Sequence, residues 1–119
     1  MTRVNIETRT QPAACCAPLR TRHIAEDQAA TLAAVFKALA DPARVRIVNL
    51  LANSREPVCV CDLTAQLDLA QPTVSFHLKK LLLAGLVHRE QRGTWAHYSL
   101  DHAALARVAG VLQPEGAKR

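Results

Sequence analysis

Apolar residues recur at helical spacing in the first half of the chain. An i, i+3, i+4, i+7 pattern predicts a first helix at about residues 25–40, with an apolar stripe made of Leu32, Val35, Phe36 and Leu39. Asp41 and Pro42 follow this stripe. Because Asp is a favoured N-cap and Pro a favoured first helical residue, a second helix is predicted over residues 42–53.

Two closely spaced helices are predicted next. Leucines at i, i+4 indicate a short helix that starts near Cys61 or Asp62 and ends around Asp68. A fourth helix begins at Gln71–Pro72, and its inward face carries Val74, Leu78, Leu81 and Leu82. A short connection between two helices, the second longer and basic, is typical of a helix-turn-helix.

The rest of the chain changes from helical to strand patterning and back. Gly85 ends the fourth helix, and Val87–Gln91 and Thr94–Leu100 are predicted strands around an Arg92–Gly93 turn. Asp101 is suited to cap a fifth helix. The predicted fold is mainly α with a small β-hairpin: a winged helix-turn-helix with additional N- and C-terminal helices.

Length and hydropathy predict one domain with two tails. A chain of 119 residues is enough for one compact core. We expect a winged helix-turn-helix domain over residues 23–113, a flexible N-terminal segment over residues 1–22 and a C-terminal tail over residues 114–119. No apolar stretch reaches the ~18 residues of a spanning helix, and no apolar run follows the first charged residues, so a cytoplasmic chain without membrane association is expected.

Positive charge is concentrated around the predicted helix-turn-helix. The formal net charge is +5, and residues 71–92 hold four basic residues against a single acidic one. A local basic excess of this kind indicates a polyanionic partner such as nucleic acid.

Three blocks of sequence resemble one family of regulators. They are ALADPARVRI at residues 38–47, VCVCDL at 58–63 and QPTVSFHLKKL at 71–81. In this order and spacing the chain resembles the ArsR/SmtB family of bacterial metal-responsive repressors over about residues 30–100. The VCVCDL block further resembles the arsenic- and antimony-responsive branch, whose sensors bind the metalloid through three cysteine thiolates. The resemblance implies a homodimeric repressor that binds operator DNA and is released by As(III) or Sb(III).

If the apolar face of the fourth helix points inward, its opposite face is free to contact DNA. The candidates on that helix are Gln71, Thr73, Ser75, Phe76, His77, Lys79 and Lys80. Gln reads adenine edges, Ser and Thr reach bases or phosphates, and lysines contact phosphates. Phe76 is open to two interpretations, contact with a thymine methyl or packing against the hairpin, and a structural role is favoured for His77. The basic hairpin adds Arg89 and Arg92.

The cysteines form a second candidate site. Thiolates are soft donors that suit As(III), Sb(III), Cd(II), Zn(II) or Cu(I). Neither Cys15–Cys16 nor Cys59-Val60-Cys61 has the C-x-x-C spacing of structural zinc sites. Cys61 is expected at the cap of a helix, where the helix N-terminus lowers a thiol pKa. The expected ligands are Cys15 and Cys16 with Cys59, Cys61 or both, from one protomer or from two.

Other functions of the same thiols stay open at this point. A Cd(II), Pb(II) or Zn(II) sensor would use all four cysteines, and a redox-sensing repressor would oxidise the vicinal pair. A thiol redox enzyme or metalloid carrier is disfavoured, because the chain lacks a C-x-x-C on a βαβ unit and any arrangement typical of nucleophilic catalysis. No enzymatic activity is therefore expected.

Overall fold

The computed structural model describes residues 23–114, which form helices and a small sheet. In chain order the elements are α1 (Glu26–Leu39), α2 (Pro42–Ala52), β1 (Val58–Cys59), α3 (Val60–Leu67), α4 (Gln71–Leu83), β2 (Val87–Arg92), β3 (Trp95–Leu100) and α5 (His102–Val111). The predicted helices and hairpin are confirmed. Among the described residues, no helix is long and apolar enough to cross a membrane. The segment predicted for residues 1–22, with Cys15 and Cys16, lies outside the described residues.

Two aspartates cap helices as predicted. Asp41 accepts hydrogen bonds from the backbone amides of Ala43 and Arg44 at 2.8 and 3.4 Å, and Pro42 follows it as the first residue of α2. Burial alone would raise the pKa of Asp41, but these amides and the nearby charges of His77 and Arg44 lower it. At the start of α5, Asp101 accepts a hydrogen bond from the amide of Ala104 at 2.9 Å.

The start of α3 differs from the prediction. The N-cap is Cys59, whose Sγ accepts the backbone N–H of Cys61 at 3.3 Å, so the expectation of Cys61 as the cap is wrong, although α3 begins at Val60, within one residue of the predicted start near Cys61. The reason is that Val58 and Cys59 pair with β3 as a strand, and the backbone stays extended up to Cys59. Helix α3 starts directly at the end of that strand.

The sheet has three strands rather than the two of the predicted hairpin. Its order is β1-β3-β2, and both pairings are antiparallel. In β1, Val58 lies opposite Tyr98 and Cys59 lies opposite His97. We call the hairpin of residues 87–100 the wing. Because β1 joins α3 to the sheet that carries the wing, the wing is anchored to the helix-turn-helix.

The core lies where α2, α3, α4 and the sheet meet. Its fully buried side chains are Ile47, Leu51, Leu63, Val74, Leu78, Leu81 and Leu86. Two predicted core positions are wrong, since Leu82 is 37% exposed and Phe36 is 36% exposed. In α1 only Val35 is buried, because a single chain covers only part of the apolar stripe of that helix.

Candidate functional site

Helix α4 is held by its apolar side and presents polar groups on the other. Val74, Leu78 and Leu81 are buried, whereas the predicted DNA contacts on this helix are exposed, apart from the half-buried His77. The N-terminal half of α4 faces the wing across an open groove of about 400 Å³. This groove is lined by Val60, Gln71, Ser75, Arg89, Gln91, Thr94, Trp95, Ala96 and Tyr98. Helix and wing therefore form one continuous surface.

Phe76 and Lys80 lie together on the exposed side of α4. The Phe76 side chain is 53% exposed, and the Nζ of Lys80 lies 5.2 Å from the centre of its ring. The ring also meets the imidazole of His77 edge-on, with the ring centres 5.5 Å apart. An apolar ring beside a cation is thus available at this surface.

His77 connects α4 to the other helices. The Nη1 of Arg44 donates a hydrogen bond to Nδ1 of His77 at 3.0 Å, and Nε of Arg44 donates to the carbonyl of Ala38 at the end of α1. This geometry agrees with the structural role favoured for His77. The part played by Arg44 was missed, because a contact between residues 44 and 77 leaves no signal in local periodicity.

The wing arginines are held by neighbours on the hairpin. Nε of Arg92 donates to Oε2 of Glu90 at 2.9 Å, which lowers the pKa of Glu90 and raises that of Arg92. Nη2 of Arg89 donates to Oε1 of Gln91 at 2.9 Å, and Nε2 of Gln91 donates to the carbonyl of Gly93 at 3.0 Å. Since Glu90 offsets the charge of Arg92, Arg89 is the wing arginine with the more available charge.

The exposed Trp95 at the start of β3 is a further candidate that the sequence reasoning missed. It lines the groove between α4 and the wing. The available signal was a large aromatic residue two positions after the glycine of a basic turn.

Cys59 and Cys61 are neighbours at the junction of β1 and α3. Cys59 is buried and Cys61 is exposed. The hydrogen bond with the Cys59 side chain raises the pKa of the Cys61 thiol, and burial and the charges of Cys59 and Asp62 act in the same direction. The expectation that the helix N-terminus lowers this pKa is therefore wrong, because the nearby sulfur and carboxylate outweigh the backbone.

Two adjacent thiols fit a soft, thiophilic ion, since both sulfurs lie at the same end of α3. In residues 23–114, no group of three or more His, Cys, Asp or Glu side chains has an arrangement that could hold a metal ion. The described residues thus supply a pair of soft donors.

An uncovered surface lies between α1 and α5. The groove between these helices has a volume of about 890 Å³ and is lined in part by Ile24, Leu32 and Val111. Ile24, Val111 and the adjacent Leu112 are exposed. Exposed apolar groups on two terminal helices are typical of a contact surface.

A helix-turn-helix followed by a wing, whose two strands form a three-stranded sheet with β1, defines a winged-helix DNA-binding protein. The family model described as "Bacterial regulatory protein, arsR family" matches residues 41–89. The chain is 44% identical over 80 residues to the arsenical resistance operon repressor of Bacillus subtilis (strain 168). These 80 residues are 67% of this chain and correspond to 72% of that repressor. The chain belongs to the ArsR family of transcriptional regulators, as the resemblance of its three sequence blocks predicted.

Two further comparisons agree with this assignment. The arsenical resistance operon repressor of Escherichia coli (strain K12) is 47% identical over 78 residues, which is 66% of each chain. The homodimeric winged helix-turn-helix DNA-binding domain Mb0332 of Mycobacterium bovis has a TM-score of 0.61 at 29% identity. That similarity covers 76% of this chain and 84% of the Mb0332 chain.

Proposed function

We propose that this protein is an arsenite- and antimonite-responsive repressor that binds operator DNA as a homodimer and leaves it when As(III) or Sb(III) binds cysteine thiolates. The observation that carries the proposal is the thiol pair of Cys59 and Cys61 at the start of α3, the first helix of the helix-turn-helix. Relatives at 44–47% identity are arsenical resistance operon repressors. Reduced thiols and operator DNA are both found in the cytoplasm, where we expect the protein to act.

The DNA-binding half of the proposal uses α4 and the wing. We assign the major groove to α4, with Gln71, Thr73 and Ser75 at base edges and Lys79 and Lys80 at phosphates. Their exposure on the face opposite the buried leucines supports this assignment. Arg89 and Arg92 contact the DNA backbone from the wing, and Arg89 lines the same groove as Gln71 and Ser75.

Dimerisation uses the surface of α1 and α5. The apolar groups exposed there in a single chain support a symmetric contact with a second copy. The homodimeric state of the similar Mb0332 domain agrees with it. Two copies would present two α4 helices to successive turns of one DNA face.

The inducer site combines the described thiol pair with the N-terminal cysteines. We assign Cys15 and Cys16, from the same protomer or its partner, together with Cys59, Cys61 or both at the start of α3, and three of these sulfurs would bind As(III). Three sulfurs suit As(III), whose lone pair occupies the fourth direction.

Proton balance distinguishes a metalloid from a divalent ion at this site. When neutral As(OH)₃ binds a thiol, one hydroxyl group leaves the arsenic as water and takes up the thiol proton, so no proton is released to solvent. The affinity for As(III) should therefore stay nearly constant at pH values below the thiol pKa. Cd(II) displaces each proton into solvent, so its affinity should rise by about tenfold per pH unit for every thiol bound. The raised pKa of Cys61 keeps that thiol protonated and extends this pH range upward. Operator release, titrated between pH 6 and 8 with each ion, measures the difference.

The same assay tests the alternatives. We expect As(III) and Sb(III) to release the operator at lower concentration than Cd(II), Pb(II) or Zn(II), and a thiol oxidant to have no comparable effect. If Cd(II) releases the operator at a lower concentration than As(III) does at neutral pH, the proposal is contradicted and a divalent-metal sensor is favoured. Release by oxidant alone would favour a redox sensor.

A further inference from the structure

The residue opposite Cys59 in the sheet has a buried imidazole nitrogen without an assigned role. Nδ1 of His97, on β3, is buried and has no hydrogen-bond partner in the described part of the chain. Buried polar atoms are nearly always hydrogen-bonded, so an unpartnered one calls for an explanation. A partner supplied only in the ligand-bound state is one such explanation.

The sheet register brings this histidine to Cys59. His97 and Cys59 lie directly opposite each other in the antiparallel β1–β3 pair. Directly opposite residues project from the same face of a sheet, with Cβ atoms about 4.5–5.5 Å apart. On the other side of His97, the opposite residue on β2 is Glu90, whose carboxylate is bound by Arg92.

The sulfur of Cys59 already accepts one hydrogen bond from protein. The backbone N–H of Cys61 donates to Cys59 Sγ at 3.3 Å. A sulfur bound to a soft ion is an anionic acceptor with lone pairs for further donors. Hydrogen bonds to ligand atoms orient them, and loss of such a partner typically costs about 10- to 100-fold in metal affinity.

We propose that His97 is a positioning residue for Cys59, donating a hydrogen bond from Nδ1–H to Cys59 Sγ when that sulfur binds the inducer. This inference rests on the proposed function, because it needs Cys59 as a ligand. The donor hydrogen is present on Nδ1 both in one neutral tautomer and in the charged ring. The role therefore does not depend on the charge of the imidazole.

The test compares His97→Phe, His97→Gln and Cys59→Ser in the full chain, with His102→Phe as the control at an exposed histidine of α5. Affinity for As(III) and the thiolate-to-Cd(II) absorption band are measured for each. We expect His97→Phe to weaken As(III) binding about 10- to 100-fold. It should also shift the band to longer wavelength, because loss of the hydrogen bond raises the energy of the sulfur lone pair. His97→Gln, which keeps a side-chain N–H, should restore part of the As(III) affinity and part of the band position. His102→Phe should match the wild type in both measurements.

Each other outcome is decisive. If His97→Phe loses affinity but keeps the wild-type band position, the role is only structural and the inference is wrong. If Cys59→Ser loses As(III) binding while both His97 variants bind like wild type, the inference fails and the proposed function stands. If Cys59→Ser itself binds As(III) normally, Cys59 is not a ligand and the inference fails, whereas the proposed function fails only if the wild-type protein does not bind As(III). Should His97→Phe not fold, as judged by circular dichroism, the affinity and band of His97→Gln against wild type decide in the same way.

Discussion

Replacement of Cys15 and Cys16 by Ser should abolish As(III)-induced release from the operator. Serine hydroxyls are hard donors that bind As(III) far more weakly than thiolates, so the double variant loses two of the three soft donors of the proposed site. Operator binding without As(III) should be unchanged, because residues 15 and 16 precede α1 and the winged helix begins well after them. Fluorescence anisotropy of labelled operator, titrated with As(III), measures both properties in one experiment.

Cys61→Ser is the companion variant on the described half of the site. It replaces an exposed thiol, and its own N–H can still bond to Cys59 Sγ, so the start of α3 should be preserved. A partial or complete loss of response is expected, depending on whether Cys59 alone serves at α3. If the Cys15→Ser/Cys16→Ser variant responds to As(III) like wild type, the N-terminal cysteines are not ligands and the third donor lies elsewhere.

Replacement of Lys79 and Lys80 by Ala should weaken operator binding with little change in sequence preference. Both lysines are exposed on α4, where we propose that they neutralise phosphates rather than read bases. Because each phosphate contact releases counterions, the slope of log affinity against log salt should flatten by about one to two units. Operator and scrambled DNA, each titrated at four salt concentrations, provide the slope and the preference.

Lys37→Ala serves as the control for charge alone. Lys37 is exposed in the last turn of α1, outside α4 and the wing. It should leave the salt slope as in wild type. An unchanged slope in the Lys79→Ala/Lys80→Ala variant would instead mean that α4 does not contact the DNA backbone at these residues.

The helical part of the fold was predictable because its signals are local. The apolar spacing and the caps at Asp41 and Asp101 predicted α1, α2, α4 and α5 to within a residue or two. Strand β1 was missed because two residues have no periodicity, and its pairing with β3 is formed across some forty residues of sequence. Phe36 and Leu82 were predicted as buried because a helical stripe does not reveal which part a single chain covers.

The candidate site was predictable as a set of residues, but the contacts among them were not. Exposure of the polar face of α4 follows from burial of its leucines, which the sequence indicates directly. The N-cap role of Cys59 depends on β1, and the raised pKa of Cys61 depends on the resulting position of two sulfurs. The hydrogen bond of Arg44 to His77 and the position of His97 opposite Cys59 arise from tertiary packing.

The central claim is that binding of As(III) to the thiols and binding of operator DNA to α4 weaken each other, while the protein stays a folded dimer. Cys59 and Cys61 lie at the start of α3, which packs against α4. A ligand that joins these cysteines to the N-terminal segment would therefore tilt the helix-turn-helix. Two α4 helices must reach DNA about 34 Å apart, and a small tilt of each prevents simultaneous docking.

The most direct test is the affinity of the intact protein for As(III), measured with and without saturating operator while sedimentation reports the oligomeric state. A coupling of about 1–3 kcal/mol predicts that operator weakens As(III) binding by about 5- to 150-fold, the same factor by which As(III) weakens operator binding. The protein should remain a folded dimer throughout. Equal As(III) affinity in the free and DNA-bound protein, or dissociation into monomers on binding As(III), would contradict the account.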